Sequence, residues 1–209
     1  MVGRRDRVRN RAFSPLVLLL AAMAWAVPLL ASAQVGGSRL HLGAGFALDF
    51  AGEAEVNDSG PDPELDPTVG LRGHLDYAVH RYVSVGGLMR MSWWQMDDYD
   101  YDRSFLLDIG PRVIGHYEYR DFRFYGGLAP GLTISALNDD FRGIDNPAAG
   151  FTLSVTVAGM EWWFARHVGL FVELGWVGHW FEHEYENDTD EVDVDLSQGL
   201  FEFGFVFGV

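Results

Sequence analysis

Two sets of side chains in this sequence have chemistry beyond packing. The first is His179, Glu182 and His183, with Ser92 and Ser104 elsewhere in the chain. A histidine, a carboxylate and a serine hydroxyl are the parts of an acyl-transfer site. No nucleophile motif surrounds any serine, so the pattern supports a polar patch over a catalytic one. His179 and His183 stand four apart, a spacing that brings two imidazoles together on a helix but not on a strand. The runs "DDYDYD" and "ENDTDEVDVD" offer carboxylates without the glycine-centred order of a calcium loop. They imply diffuse attraction for divalent cations, with no dedicated metal site, cofactor or catalytic residue.

The second set is a series of ions at alternate positions among apolar residues. It comprises Arg39, Asp49, Arg72, Asp76, Arg90, Asp108, Arg112, Glu118, Arg123, Glu173 and Glu202. His41, His74, His116 and His179 fall in the same phase. The two signs are nearly balanced. Ions held away from bulk water need partners, because an unpaired buried charge is costly. An internal salt-bridge network follows if all of these side chains point one way; a gated polar path for a small solute is the alternative.

What must position them is a set of strands. Even positions from Leu40 to Phe50 are apolar, while odd ones carry His41, Gly43, Gly45 and Asp49. The same alternation recurs in seven more stretches. One of them sets Phe151, Leu153, Val155 and Val157 opposite Thr152, Ser154, Thr156 and Ala158. The last places Phe201, Phe203, Phe205 and Phe207 on one face. Period two is the strand signal, and no stretch shows helical spacing.

Connections alternate in length. Tight turns are expected around His80–Arg81, Arg120–Asp121 and Ala165–Arg166. Long connections fall at 51–66, 96–103, 138–149 and 182–195, and these hold most of the acids of a chain whose net charge is −15. Eight strands with alternating short and long connections describe an up-and-down antiparallel barrel. Short periplasmic turns and longer extracellular loops are the outer-membrane version of it.

A soluble barrel with a ligand inside would carry many charges on its outer face. Here the face opposite the apolar one holds few ions among Gly, Ser, Ala and Thr, which suits a narrow filled lumen. Trp93, Trp94, Trp176 and Trp180 gather near the loops, and Tyr77, Tyr82, Tyr117, Tyr119, Trp162 and Trp163 near the turns. Two aromatic girdles are expected where a barrel crosses two lipid interfaces.

The N-terminus agrees. "RRDRVRNR" is followed by the apolar stretch Pro15–Leu30 and then by Ala31, Ser32 and Ala33. That order predicts a signal peptide over residues 1–33, cleaved before Gln34. Residues 34–209 then form the barrel. The chain has no cysteine, which rules out disulfides and thiol chemistry.

The expected fold class is all-β: an eight-stranded antiparallel up-and-down transmembrane β-barrel, preceded by a cleaved signal peptide. In this pattern the chain resembles the small eight-stranded outer-membrane barrels of the OmpA/OmpX type. The resemblance implies a Gram-negative outer-membrane location with both termini periplasmic. It also implies that the assembly machinery reads the aromatic terminal strand, which ends here in Val209 on the Phe face. Expected partners are outer-membrane lipid and lipopolysaccharide, that machinery, and divalent cations at the loops; nucleic acid is excluded. The expected role is structural or surface interaction, not enzymatic. Small-solute passage and lipid modification are the alternatives.

Overall fold

The computed structural model describes residues 39–56, 64–94, 104–136, 147–184 and 191–209. The expected signal peptide, residues 1–33, lies outside the described residues. Eight long strands carry the fold: β1 (Leu40–Val56), β2 (Thr68–His80), β3 (Val83–Trp94), β4 (Ser104–Tyr119), β5 (Phe122–Ala136), β6 (Ala148–Ala165), β7 (Val168–Glu184) and β8 (Glu191–Gly208). Each pairs antiparallel with its neighbour in sequence, and β1 pairs with β8, so the sheet closes. A two-residue strand, Glu64–Leu65, continues the β1–β2 hairpin beyond an interruption at Asp66 and Pro67. Closure leaves no free edge and gives backbone groups cross-strand partners, the condition for a sheet in lipid.

The turns join β2–β3, β4–β5 and β6–β7 at Arg81–Tyr82, Arg120–Asp121 and Arg166–His167. These positions are within one residue of the sequence expectation. The strands run further into the acidic segments than expected. β1 reaches Val56, β7 reaches Glu184, and β8 starts at Glu191, with Glu182 opposite Asp193 and Glu55 opposite Asp195. Like charges face each other there, yet the ladders hold because inward neighbours on the same strands pack together. Ala54, Leu65, Leu106, Ala148, Phe181, Val194 and Leu196 form one buried apolar cluster inside the loop end.

Alternation sorts the side chains. Phe46, Leu71, Ile109, Leu132, Leu174, Phe203 and Phe205 are among a broad belt of large apolar residues exposed on the outside. Such a continuous apolar exterior is far more than a soluble monomer shows, and it needs an apolar surrounding.

Two strands depart from the simple count. β1 carries an extra residue relative to β8 between Phe50 and Glu53, where Ala51 has φ 48°, so Glu53 and Glu55 point outward although Asp49, in the same odd phase, points inward. β6 carries an extra residue at Val157–Ala158 relative to both β5 and β7, where the pairing register shifts. A bulge of one residue reverses which side chains face inward beyond it. Val157 is 73% exposed, and Ala158, expected inside, is exposed as well. Beyond the bulge, Gly159, Glu161 and Trp163 are buried instead. Trp163, expected in the turn-side girdle, therefore lies in the interior, packed with Phe171 and Val206. Trp162 and Phe164 take the outward places.

Candidate functional site

The barrel interior is the most chemically dense part of the molecule. Of the ions expected to face inward, Asp49, Arg72, Asp76, Arg90, Asp108, Arg112, Arg123, Glu173 and Glu202 are all buried. Arg39 and Glu118 are not among them. Arg39 is half-buried just before β1, and the Glu118 side chain, 20% exposed, lies 4.0 Å from His116 Nδ1. Both occupy the last inward positions at the turn end, where the wall stops and water reaches them. The structure adds Glu161, which is 0% exposed and enters the lumen only because of the β6 bulge.

These groups form three clusters that connect strands across the lumen. In the central one, Glu173 of β7 is the common acceptor. Its Oε1 receives Arg72 Nη2 at 2.7 Å, Arg112 Nη2 at 2.6 Å and the Tyr125 hydroxyl at 2.7 Å. Its Oε2 accepts from Thr156 at 2.9 Å. The second arm of each arginine reaches another carboxylate: Arg72 Nη1 lies 2.6 Å from Glu202, and Arg112 Nη1 2.9 Å from Asp76. Arg72 stands over the Phe171 ring, and Arg112 over Tyr125. A fork of donors matched to carboxylates is the geometry that offsets the cost of burying both ions.

The second cluster joins Arg90 of β3, Asp108 of β4 and His179 of β7. Arg90 Nε donates to Asp108 Oδ2 at 3.1 Å, and His179 Nε2 lies 3.0 Å from the same oxygen. In the third, Arg123 of β5 donates to Glu161 at 2.9 Å and to the Ser84 hydroxyl at 2.7 Å. Trp163 Nε1 donates to the other oxygen of Glu161 at 3.1 Å, and His41 Nδ1 lies 3.3 Å from it.

The acyl-transfer and metal readings can be placed against this geometry. Ser92 and Ser104 are buried and face inward, as is His179, which is held by Asp108 and Arg90. The side chain of His183 lies outside the described residues. One trio, His74, Asp76 and Glu161, brings three ligand-type atoms within 4.8 Å of one another. Two of its members already carry arginines, Arg112 on Asp76 and Arg123 on Glu161. Nearby guanidiniums oppose a divalent ion, so the trio belongs to the ion-pair network.

A signal for the missed residues exists in the sequence. Along β6 the apolar phase runs on odd numbers through Val157 and then on even ones at Met160, Trp162 and Phe164. That phase change marks the bulge, and with it the inward turn of Glu161 and Trp163. Tyr125, followed by Gly126 and Gly127 where β5 faces the bulge, carries no comparable signal.

On the outside of the loop end the wall changes character. Glu53 and Glu55 of β1, Asp193 and Asp195 of β8 and Glu182 of β7 are exposed and point outward on adjoining strands. Trp180 lies directly opposite Asp195. A cavity of about 620 Å³ opens there, lined by Trp180, Phe181 and Gly150 together with Glu55, Glu182, Asp193 and Asp195.

No protein-family model matches the chain, and no curated protein matches its sequence. Solved structures do match its fold. The outer membrane protein OprG from Pseudomonas aeruginosa superposes with a TM-score of 0.57 at 12% identity, covering 84% of this chain and 99% of that one. The outer membrane protein AlkL, determined in lipid bilayers, gives a TM-score of 0.55 at 11% identity, covering 87% and 95%. The fold is therefore that of the small outer-membrane β-barrels.

Proposed function

We propose that this chain is an integral outer-membrane protein of a Gram-negative bacterium with a structural or surface-interaction role. Its short turns face the periplasm, and its acidic end faces outward. The observation that carries this reading is the change along the outer wall. The apolar belt ends near Trp180, Phe50 and Ala51, and the outward residues beyond it are Glu53, Glu55, Glu182, Asp193 and Asp195. In an outer membrane that level holds the phosphates of lipopolysaccharide, whose charge repels carboxylates. Hard divalent cations bind both groups through oxygen and tolerate irregular geometry, Ca²⁺ especially. The wall thus engages lipopolysaccharide through bridging cations. The Phe-lined terminal strand β8 is the segment the assembly machinery reads. The interior acts as a plug rather than a path, and we read the chain as non-catalytic.

The test measures lipopolysaccharide binding and protease protection of the loop end against Ca²⁺. It compares the wild type with a variant carrying Glu53→Gln, Glu55→Gln, Glu182→Gln, Asp193→Asn and Asp195→Asn. Ca²⁺ should strengthen binding for the wild type only, while Na⁺ of equal ionic strength weakens it. Identical Ca²⁺ curves for the two proteins would remove the bridging reading. Orientation is checked on whole cells: protease should nick the loop end without permeabilisation.

A further inference from the structure

The opposite end of the barrel carries the opposite chemistry. Each two-residue turn opens with an arginine: Arg81, Arg120 and Arg166, all exposed. Arg39 joins them, its carbonyl accepting the Ala78 N–H at 2.9 Å. Acids at this end are Glu118 and Asp121. The described residues of the loop end, by contrast, carry carboxylates and no arginine outside the lumen.

Two of these arginines stand over rings. Arg81 Cζ lies 4.4 Å from the Tyr82 ring centroid, and Arg120 Cζ lies 5.2 Å from that of Tyr119. Arg120 adopts φ 56°, a left-handed turn conformation uncommon for a residue with a side chain. Tyr117, Trp162 and Phe164 complete an exposed aromatic rim beside them. Interfacial Tyr and Trp settle at headgroup depth. A guanidinium stacked on such a ring is held at the same depth, with its donor fork available. The group that matches it there is a phosphate, which guanidinium binds through two parallel hydrogen bonds.

We infer that the turn-end rim, through Arg81, Arg120 and Arg166 and their neighbouring aromatics, binds the headgroups of anionic phospholipids in the leaflet the turns face. This rests on the membrane reading above. A zwitterionic lipid offers the same phosphate with its own ammonium attached, so its attraction is weaker. A lipid with net negative charge gains about 1 kcal/mol per basic residue near the surface. Acidic wall and basic rim together give the barrel one end for each leaflet.

The test uses the full chain folded into phosphatidylcholine vesicles containing spin-labelled phosphatidylglycerol or spin-labelled phosphatidylcholine. Electron paramagnetic resonance then reads the relative association of each label with the barrel. The wild type should prefer phosphatidylglycerol by roughly five-fold or more, from the free energy of one arginine near the surface. The preference should fall toward parity in Arg81→Gln/Arg120→Gln/Arg166→Gln and, for wild type, in high salt. A variant with Glu53→Gln, Glu55→Gln and Glu182→Gln at the other end should keep it. A folded wild type without preference, or one whose preference resists high salt, overturns the inference and leaves the membrane reading intact. So does a triple variant that retains the preference. A chain that never reaches a heat-modifiable, protease-protected form in any vesicle overturns both. If only the triple variant fails to fold, the salt arm on wild type and the single variant Arg81→Gln decide.

Discussion

Pro111 of β4 stands directly opposite Pro130 of β5, and the ladder between those strands lapses there. Pairing runs to Ile109↔Leu132 and resumes at Val113↔Leu128 in the same register. On their other sides Pro111 pairs with Gly87 and Pro130 with Leu153. Those bridges need no proline N–H only if both prolines aim their backbone groups at each other. Two donors are thus missing from one hydrogen-bonded site in the middle of the wall. Gly110 and Gly131 let the backbones close over it: a Cβ on Gly110 would collide with the Pro130 carbonyl oxygen.

Restoring the donors should strengthen this seam. Pro111→Val with Pro130→Val returns two N–H groups, each bond being worth about 0.5–1.5 kcal/mol net. Both new amides should be protected from hydrogen exchange in vesicles. Gly110→Ala should act the other way, because its methyl meets backbone and not a movable side chain. Rapid exchange at residues 111 and 130 in the double variant would show that the strands do not pair there.

Removing the centre of the ion network should be strongly destabilising. Glu173→Gln leaves Arg72 and Arg112 short of a shared carboxylate, and breaking a buried pair costs about 3–5 kcal/mol. Val172→Arg, one residue along and pointing outward, should cost about 2–4 kcal/mol if it meets the bilayer midplane. Denaturant titrations in lipid vesicles compare the two. The first should be largely insensitive to bilayer thickness, since its cost arises inside the barrel. A harmless Val172→Arg would mean that the outer face does not contact lipid.

The β6 bulge makes a sharper prediction. Deleting Val157 removes one of two successive outward residues, so the strand regains plain alternation with Glu161 and Trp163 still inward. Arg123 then keeps Glu161, its carboxylate partner at 2.9 Å. The deletion should therefore still give the heat-modifiable folded form. Exposure of Trp163 to lipid in the deletion variant, read by quenching from brominated acyl chains with and without Trp163→Phe, would show that the extra residue is not taken up at this bulge.

The packed interior predicts a closed barrel. Planar-bilayer recordings of the wild type should show no discrete openings. Glu173→Ala with Arg112→Ala, which removes two side chains from the centre of the lumen, is the variant in which openings should first appear. Regular conductance steps from the wild type would favour solute passage over a plug.

Much of this architecture was legible in the chain because its information is local. Strand periodicity is a property of neighbouring residues, so Arg72, Asp76 and Arg90 could be assigned to one face without knowing what they touch. Turn and loop lengths gave the order of the strands for the same reason. Partner choice is different. Glu173 meets Arg72 across 101 residues, and that pairing exists only once β1 and β8 have closed the sheet. The facing of Glu161 depends on one extra residue held in β6 by both flanking strands, so alternation counted from Phe151 ran into the wrong phase. The opposition of Pro111 and Pro130 is equally invisible in one dimension. A strand's own sequence decides which side chains share a face, but the register against its neighbours decides which of them meet. Register is settled by the whole closed ladder, because a slip in one strand has to be accommodated by all eight.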